Sequence, residues 1–253
     1  MSVQAKDNAH TARNKLRRAA TRGLKRLLPP LGMPDRAQLA AHYLRGDGIE
    51  IGALHRPLVV PAGLRVHYVD RMPVAELRQQ YAELKDERLV PVDIIDDGER
   101  LGKIADASQD FVIANHFLEH CQDPIQALRN MLRVLRAGGV LYLAVPDKRY
   151  TFDVDRPLTR LEHLWQDYEQ GPDGSRRQHF EEFAYFVHKF QGPGEAQAQA
   201  QHLLDMNYSI HFHVWTEIQL LELLLAIRQR FNLSFDIELM LKNGEEVIFI
   251  LRA

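Results

Sequence analysis

An α/β architecture, a doubly wound and mostly parallel seven-stranded sheet closed by an antiparallel hairpin, with a helical insertion after the fifth strand, is predicted by three observations. Apolar runs of strand length alternate with helical patterns from Gly48 to Pro146. Asp70 ends a second strand about twenty positions after Gly52, which ends the first, the spacing of a nucleoside-binding crevice. Asn243-Gly244, the preferred dipeptide of a tight hairpin, separates two terminal β patterns.

The first strand spans 48–52 and the second 64–69. Only the twelve residues Ala53–Leu64 join them, and Pro57, Pro61 and Gly63 leave no room for a full helix. A helix over 73–84, a strand over 91–95 and a strand over 110–114 follow. The helix over 124–136 is the best marked, with the acid Asp123 at its N-cap, Pro124 at the first helical position and Gly138 just past its end. Its buried face is Ile125, Leu128, Leu132 and Leu135. The strand over 139–145 is almost wholly apolar, as expected where both faces are covered. Residues 151–209 break the alternation with two or three helices, punctuated by Gly171-Pro172-Asp173-Gly174 and Gly192-Pro193-Gly194. Thr216 and Gln219 then form a capping box at the start of a leucine-rich helix to about Gln229, before strands over 233–241 and 246–252.

With 253 residues, 45% apolar and 26% charged, the chain buries a full core. Its domain organisation reads as a basic tail and lead-in helix over 1–45 and a body over 46–253 that contains the insertion. The longest apolar stretch, Leu220–Ala226, holds Glu222, and Lys25, Arg26, Pro29 and Pro30 interrupt the N-terminal leucines. Neither a membrane span nor a secretory signal is expected. A single cysteine, Cys121, excludes an intrachain disulfide and a thiolate zinc cluster and suits a cytoplasmic setting. Residues 1–28 carry eight Lys or Arg against one acid, leaving 24 basic and 33 acidic residues elsewhere. Within them, residues 13–28 set a leucine stripe among arginines, suited to peripheral contact with the inner face of a membrane or with a complex. A solvated tail is the alternative. The acidic body, lacking aromatic-interleaved basic patches, argues against nucleic acid as a partner.

With Glu50-Ile51-Gly52, Asp70, Asp97-Gly98-Glu99, the segment from Asp110 to the Leu118-Glu119-His120 signature, Asp123-Pro124 and Gly138-Gly139, the chain resembles the class I S-adenosylmethionine-dependent methyltransferases over roughly 46–150. The runs IEIGALHRP, VPDKRYTFD and HFHVWT further resemble members associated with bacterial surface-glycan synthesis. The resemblance implies S-adenosyl-L-methionine as cofactor, with Glu50, Gly52 and Ala53 beside its methionine part and Asp70 on the ribose hydroxyls. Asp97 and Gly98 would meet the adenine, and Asn115 and His116 would lie beneath the sulfonium. The sequence departs from the family where Leu54 and Arg56 replace further glycines of the first loop. That departure keeps a catalytically silent binding or assembly module open beside a methyltransferase acting on a glycan or another small hydroxyl-bearing acceptor.

Methyl transfer to a hydroxyl needs alignment and removal of a proton, which histidine performs near neutral pH. His116, His211 and His213 are the candidates for that base. Asp147, Arg149 and Tyr150, directly after the fifth strand, are candidates for acceptor binding. His211 and His213 lack an identifiable third ligand, so no metal is expected, and packing of His213 near Trp215 is the plainer reading. The other arginines after the fifth strand, Arg156 among them, read mostly as a solvated surface. A nicotinamide-dependent oxidoreductase, which shares the acidic second-strand end, lacks its Gly-x-Gly-x-x-Gly loop here.

Overall fold

Alternating burial along the central strands sorts their side chains onto two apolar faces, each needing cover. The structure, a computed structural model, describes residues 33–253 apart from residue 191, so the basic stretch 13–28 lies outside the described residues. Residues Arg36–Ala253 form one unit. Its strands are β1 (Asp47–Ile51), β2 (Arg65–Asp70), β3 (Ile94–Ile95), β4 (Gln109–Asn115), β5 (Leu135–Pro146), β6 (Asp236–Asn243) and β7 (Glu246–Arg252). They make one sheet in the order β3-β2-β1-β4-β5-β7-β6. β1 to β5 pair in parallel, and β7 runs antiparallel to both β5 and β6. The predicted sheet class is the one observed.

One face carries Ile49, Ile51, Val112, Ala114, Leu141 and Leu143, buried against α3 (Pro124–Val134) and α7 (Glu217–Phe231). The other carries Phe111, Ile113, Tyr142, Ala144, Ile248 and Ile250 beneath α1 (Arg36–Tyr43). No helix forms between β1 and β2. The coil there supplies Leu58, Val60 and Leu64 to the second face instead. Burying each large aliphatic side chain in these layers stabilises the fold by about 1.5–3 kcal/mol.

Helix ends follow local chemistry. The Asp123 side chain accepts the Gln126 N–H at the start of α3, and the Thr216 capping box opens α7, which ends at Asn232 in the left-handed region (φ 49°, ψ 43°). The helix expected over 73–84 is split. α2 (Val74–Gln80) stops at Tyr81, whose φ of −115° and ψ of 73° are not helical, and a 3-10 turn covers Ala82–Leu84. α3 ends two residues early because Leu135 is already extended, and Gly138 (φ 80°) turns within β5, where its N–H donates to Ala253 O at 2.7 Å.

The insertion contains three helices, α4 (Leu161–Gln170), α5 (Asp173–Val187) and α6 (Pro193–Asp205). Phe180, Phe183 and Ala184 pack on Ala196, Ala200 and Leu203, with Ile210 and Phe212 from the following segment, in a separate small core. α4 joins the main core through Leu164. Among the described residues no helix is long and apolar enough to cross a membrane.

Candidate active site

The ends of β1, β2 and β4 and the insertion enclose a cavity of about 1030 Å³. Gly52, Asp70, Asp97, Gly98 and His116, singled out in the sequence, all line it. Gly52 has φ +64°, a conformation glycine adopts without strain. At Gly98 a Cβ would stand 2.6 Å from Phe117 Cζ and 2.7 Å from Ile51 Cγ2, so the loop approaches only because that carbon is missing. Asp70 accepts the Arg71 N–H through Oδ1 at 2.7 Å, which leaves Oδ2 for a ligand. Burial pushes the Asp70 pKa up against the opposing Arg71 N–H and guanidinium. Glu99 accepts the N–H groups of Gln122 and Asp123 at 2.8 and 3.0 Å, tying the loop after β3 to the start of α3.

His116 sits at the end of β4 with φ 51°, its N–H donating to Ala144 O at 2.8 Å. Its Nε2 lies 2.8 Å from Glu246 Oε2 and its Nδ1 3.7 Å from Glu119 Oε1. Burial disfavours the imidazolium, but the hydrogen bond to Glu246 and the charges of Glu119 and Glu246 outweigh it and raise the pKa. Glu246 loses solvation too. Hydrogen bonds from Arg36 and His116 more than compensate and hold its carboxyl down to about 2.

The remaining site candidates lie elsewhere. Glu50 is buried beneath the first loop, where its carboxylate accepts the Leu58 N–H at 2.9 and 3.2 Å, and burial pushes its pKa up to about 7 despite that bond. It holds the coil that stands in for a helix, and neither it nor Ala53 lines the cavity. The Asn115 amide is likewise outside the lining and makes no hydrogen bond of normal geometry. Asp147, Arg149 and Tyr150 follow β5 as expected but turn away. Asp147 bridges to Trp215, and Arg149 pairs with Asp147 and with Glu217 at the start of α7. The antiparallel β7 beside β5 draws the chain to that side, and Tyr150 ends exposed near Lys242. His213 is fully buried, stacks on Trp215 with ring centroids 5.6 Å apart, and is held by burial well below the usual imidazole pKa.

His211 does face the cavity. Its Nδ1 lies 2.6 Å from Asp153 Oδ2, and its Nε2 lies 4.0 Å from the buried Glu119 Oε1. Arg156, expected at a solvated surface, is fully buried behind this pair. Its Nη1 donates to Asp153 Oδ1 at 2.9 Å and to His211 O at 2.8 Å, and its Nη2 to Phe212 O at 3.2 Å. Burial pushes Asp153 up, and the hydrogen bond and charge of His211 together with Arg156 bring it below the usual carboxylate range. His120 also lines the cavity. Its Nδ1 bonds Ile210 O at 2.8 Å, and burial beside His211 lowers its pKa to about 3, so it stays neutral. The sequence singled out neither Asp153 nor Glu119 and put Arg156 at the surface, because their partners are distant in the chain; the local signals were the Leu-Glu-His signature around Glu119 and the run VPDKRYTFD that ends at Asp153.

Residues 47–143 match a family model described as a methyltransferase domain. No curated protein matches the sequence. Among solved structures, a putative zinc-dependent alcohol dehydrogenase from Rhodobacter sphaeroides aligns with TM-score 0.50 and 16% identity over 81% of this chain and 83% of that one. A possible histamine N-methyltransferase from Thermotoga maritima aligns with TM-score 0.43 and 16% identity over 83% of each chain. The mitomycin 7-O-methyltransferase aligns with TM-score 0.43 and 17% identity over 82% of this chain, which spans about half (48%) of that protein's length. The first of these, at TM-score 0.50 and 16% identity, shows a likeness of fold alone. The matched family implies S-adenosyl-L-methionine as cofactor, and the site fits it. The Asp70 carboxylate retains an acceptor for ribose hydroxyls, and the two glycines bring their loops to the cavity wall, Gly52 through its positive φ and Gly98 by close packing on Phe117 and Ile51. Residues 47–143 are thus similar to a methyltransferase domain, and the cavity at the ends of their strands has the groups that such a domain's cofactor needs.

Proposed function

We propose that the protein methylates a hydroxyl group of a glycan or another small acceptor, with His211 as general base. The Asp153–His211 pair supports this reading most directly. A carboxylate 2.6 Å from Nδ1 fixes the tautomer that leaves Nε2 unprotonated at the cavity. When bound, S-adenosylmethionine supplies an electrophilic methyl group on sulfur. Gly52, Asp70, Asp97 and Gly98 hold the nucleoside end, and His116 closes the end of β4 beside it. Phe152, whose ring centroid lies 4.8 Å from that of His211, and Phe183 give the acceptor side an apolar wall. His211 Nε2 would take the proton of the acceptor oxygen as the methyl carbon's bond to sulfur breaks and the cofactor leaves as its neutral thioether, with the Asp153 carboxylate keeping the ring in place through Nδ1. The glycan acceptor rests on the resemblance of the runs IEIGALHRP, VPDKRYTFD and HFHVWT.

The test is radiolabelled methyl transfer to a panel of methyl glycosides by wild type and His211→Ala. Loss of the base is expected to lower kcat by roughly 10²–10⁴ while cofactor affinity stays within about 2-fold. Equal turnover by the two proteins would remove His211 from the chemistry. A wild type that binds cofactor and methylates no hydroxyl acceptor would favour the silent module.

A further inference from the structure

We propose that His163, Asp167, His179 and His213 form a four-coordinate site for a divalent cation of the zinc class, tying the helical insertion to the segment that carries His211. His163 and Asp167 stand one turn apart on α4, His179 comes from α5, and His213 lies in the extended segment before α7. The His163 and His179 Nε2 atoms are 3.0 Å apart, and Asp167 Oδ2 is 3.2 Å from the first and 3.8 Å from the second. The ligating atoms of the three histidines all lie within 4.8 Å of one another. Zinc–nitrogen bonds of about 2.0–2.1 Å arranged tetrahedrally place neighbouring ligand atoms roughly 3.3 Å apart, near the three separations just given; Asp167 falls outside the 4.8 Å group that includes His213, so those two side chains must close on the ion when it binds.

Hydrogen bonding alone does not satisfy this cluster. Each ring nitrogen can aim one proton at one neighbour, and none is aimed at Asp167 Oδ2, which is buried without a hydrogen bond, as is His213 Nδ1. The Asp167 side chain is 2% exposed and has no Lys or Arg partner among the described residues, so its charge is left to the imidazoles. A carboxylate buried in that way is costly unless a cation completes the site.

The outer contacts select the same atoms. Ser175 Oγ donates to Asp167 Oδ1 at 2.6 Å and leaves Oδ2 free. The His213 Nε2–H donates to Gln122 O at 3.3 Å and leaves the Nδ1 lone pair free. Such second contacts orient metal ligands and fix their tautomers. Three imidazoles and one carboxylate suit zinc, and four protein ligands leave no open position, which makes the site structural. A second group, Glu119, His120 and His211, is set apart because His120 and His211 line the cavity, where His211 Nε2 has the acceptor proton to take.

The experiment measures metal in the full chain purified without a histidine tag or chelating resin. One zinc per chain is expected, lost in His163→Ala and His179→Ala and kept in His211→Ala. Chelator-stripped wild type should melt earlier, recover with Zn²⁺, and take up Co²⁺ with the intense visible bands of a four-coordinate ion. Should the alanine variants misfold, His163→Cys gives an independent answer, because a thiolate ligand adds a near-ultraviolet charge-transfer band to the cobalt protein. A folded wild type that binds neither ion, metal retained by a folded His163→Ala, or a cobalt spectrum unchanged by His163→Cys would overturn the proposal.

Discussion

The cavity has two halves built by different means. On the sheet side, Gly52, Asp70, Gly98 and His116 are placed by strand ends, and each needs only its own loop to reach the site. On the insertion side, His211 is placed by Asp153, and Asp153 by Arg156, a buried network whose members lie 58 and 55 residues from the segment they hold. Backbone topology fixes the first half. Side-chain electrostatics fixes the second, so single substitutions should affect the two halves differently.

Arg156→Ala is the most severe test of that contrast. It leaves Asp153 and two carbonyls buried without their donor, and is expected to cost about 3–5 kcal/mol in urea unfolding. A loss below about 1 kcal/mol would show that the insertion does not depend on the network. Asp70→Ala should instead leave stability nearly unchanged and weaken S-adenosylmethionine by about 100-fold in calorimetric titration, through lost hydrogen bonds to a charged acceptor worth about 1.5–3 kcal/mol each.

Glu246 sharpens the comparison, because it joins β7 to both Arg36 and His116 across the sheet. Its carboxyl is held down to about 2, so its contribution is present above the usual carboxylate value of 4.5 and lost as pH falls from there toward about 2. The raised pKa of His116 works in the other direction. Its contribution is complete below the ordinary 6.5 and lost as pH rises through the raised value. The stability gap between wild type and Glu246→Gln, about 2 kcal/mol, should therefore be widest between roughly pH 4.5 and 6.5 and narrow on either side. A gap independent of pH would detach both groups from the fold's energetics. Gly98→Ala has the smallest expected effect, about 1 kcal/mol of overpacking against Phe117 and Ile51, with weaker cofactor binding as its more sensitive readout.

The same division governs what could be read from the chain. The α3 N-cap at Asp123, the capping box at Thr216, the β6–β7 hairpin and the missing helix after Gly52 depend on neighbouring residues, and all were legible. Asp147, Arg149 and Tyr150 were expected over the cavity because they follow β5. The pairing of β7, 100 residues later, turns them away, and no local pattern encodes that. His211 and His213 share one short motif and would share a face in a regular strand, yet His211 lines the cavity and His213 is buried against Trp215, because the stretch that carries them forms no regular strand. Arg156 carried no sign of burial, because its partners come together only when the insertion folds.

Cys121 gives the chain an internal clock. It is the only cysteine, fully buried under the cavity floor, with its Sγ donating to Phe117 O at 3.5 Å. A thiol reagent reaches it only when the turn beneath the cofactor side opens, so the labelling rate of the native protein reports the free energy of that opening. Added S-adenosylmethionine should slow the reaction in proportion to its occupancy, which makes this buried sulfur a gauge of ligand binding in crude mixtures where turnover cannot be followed.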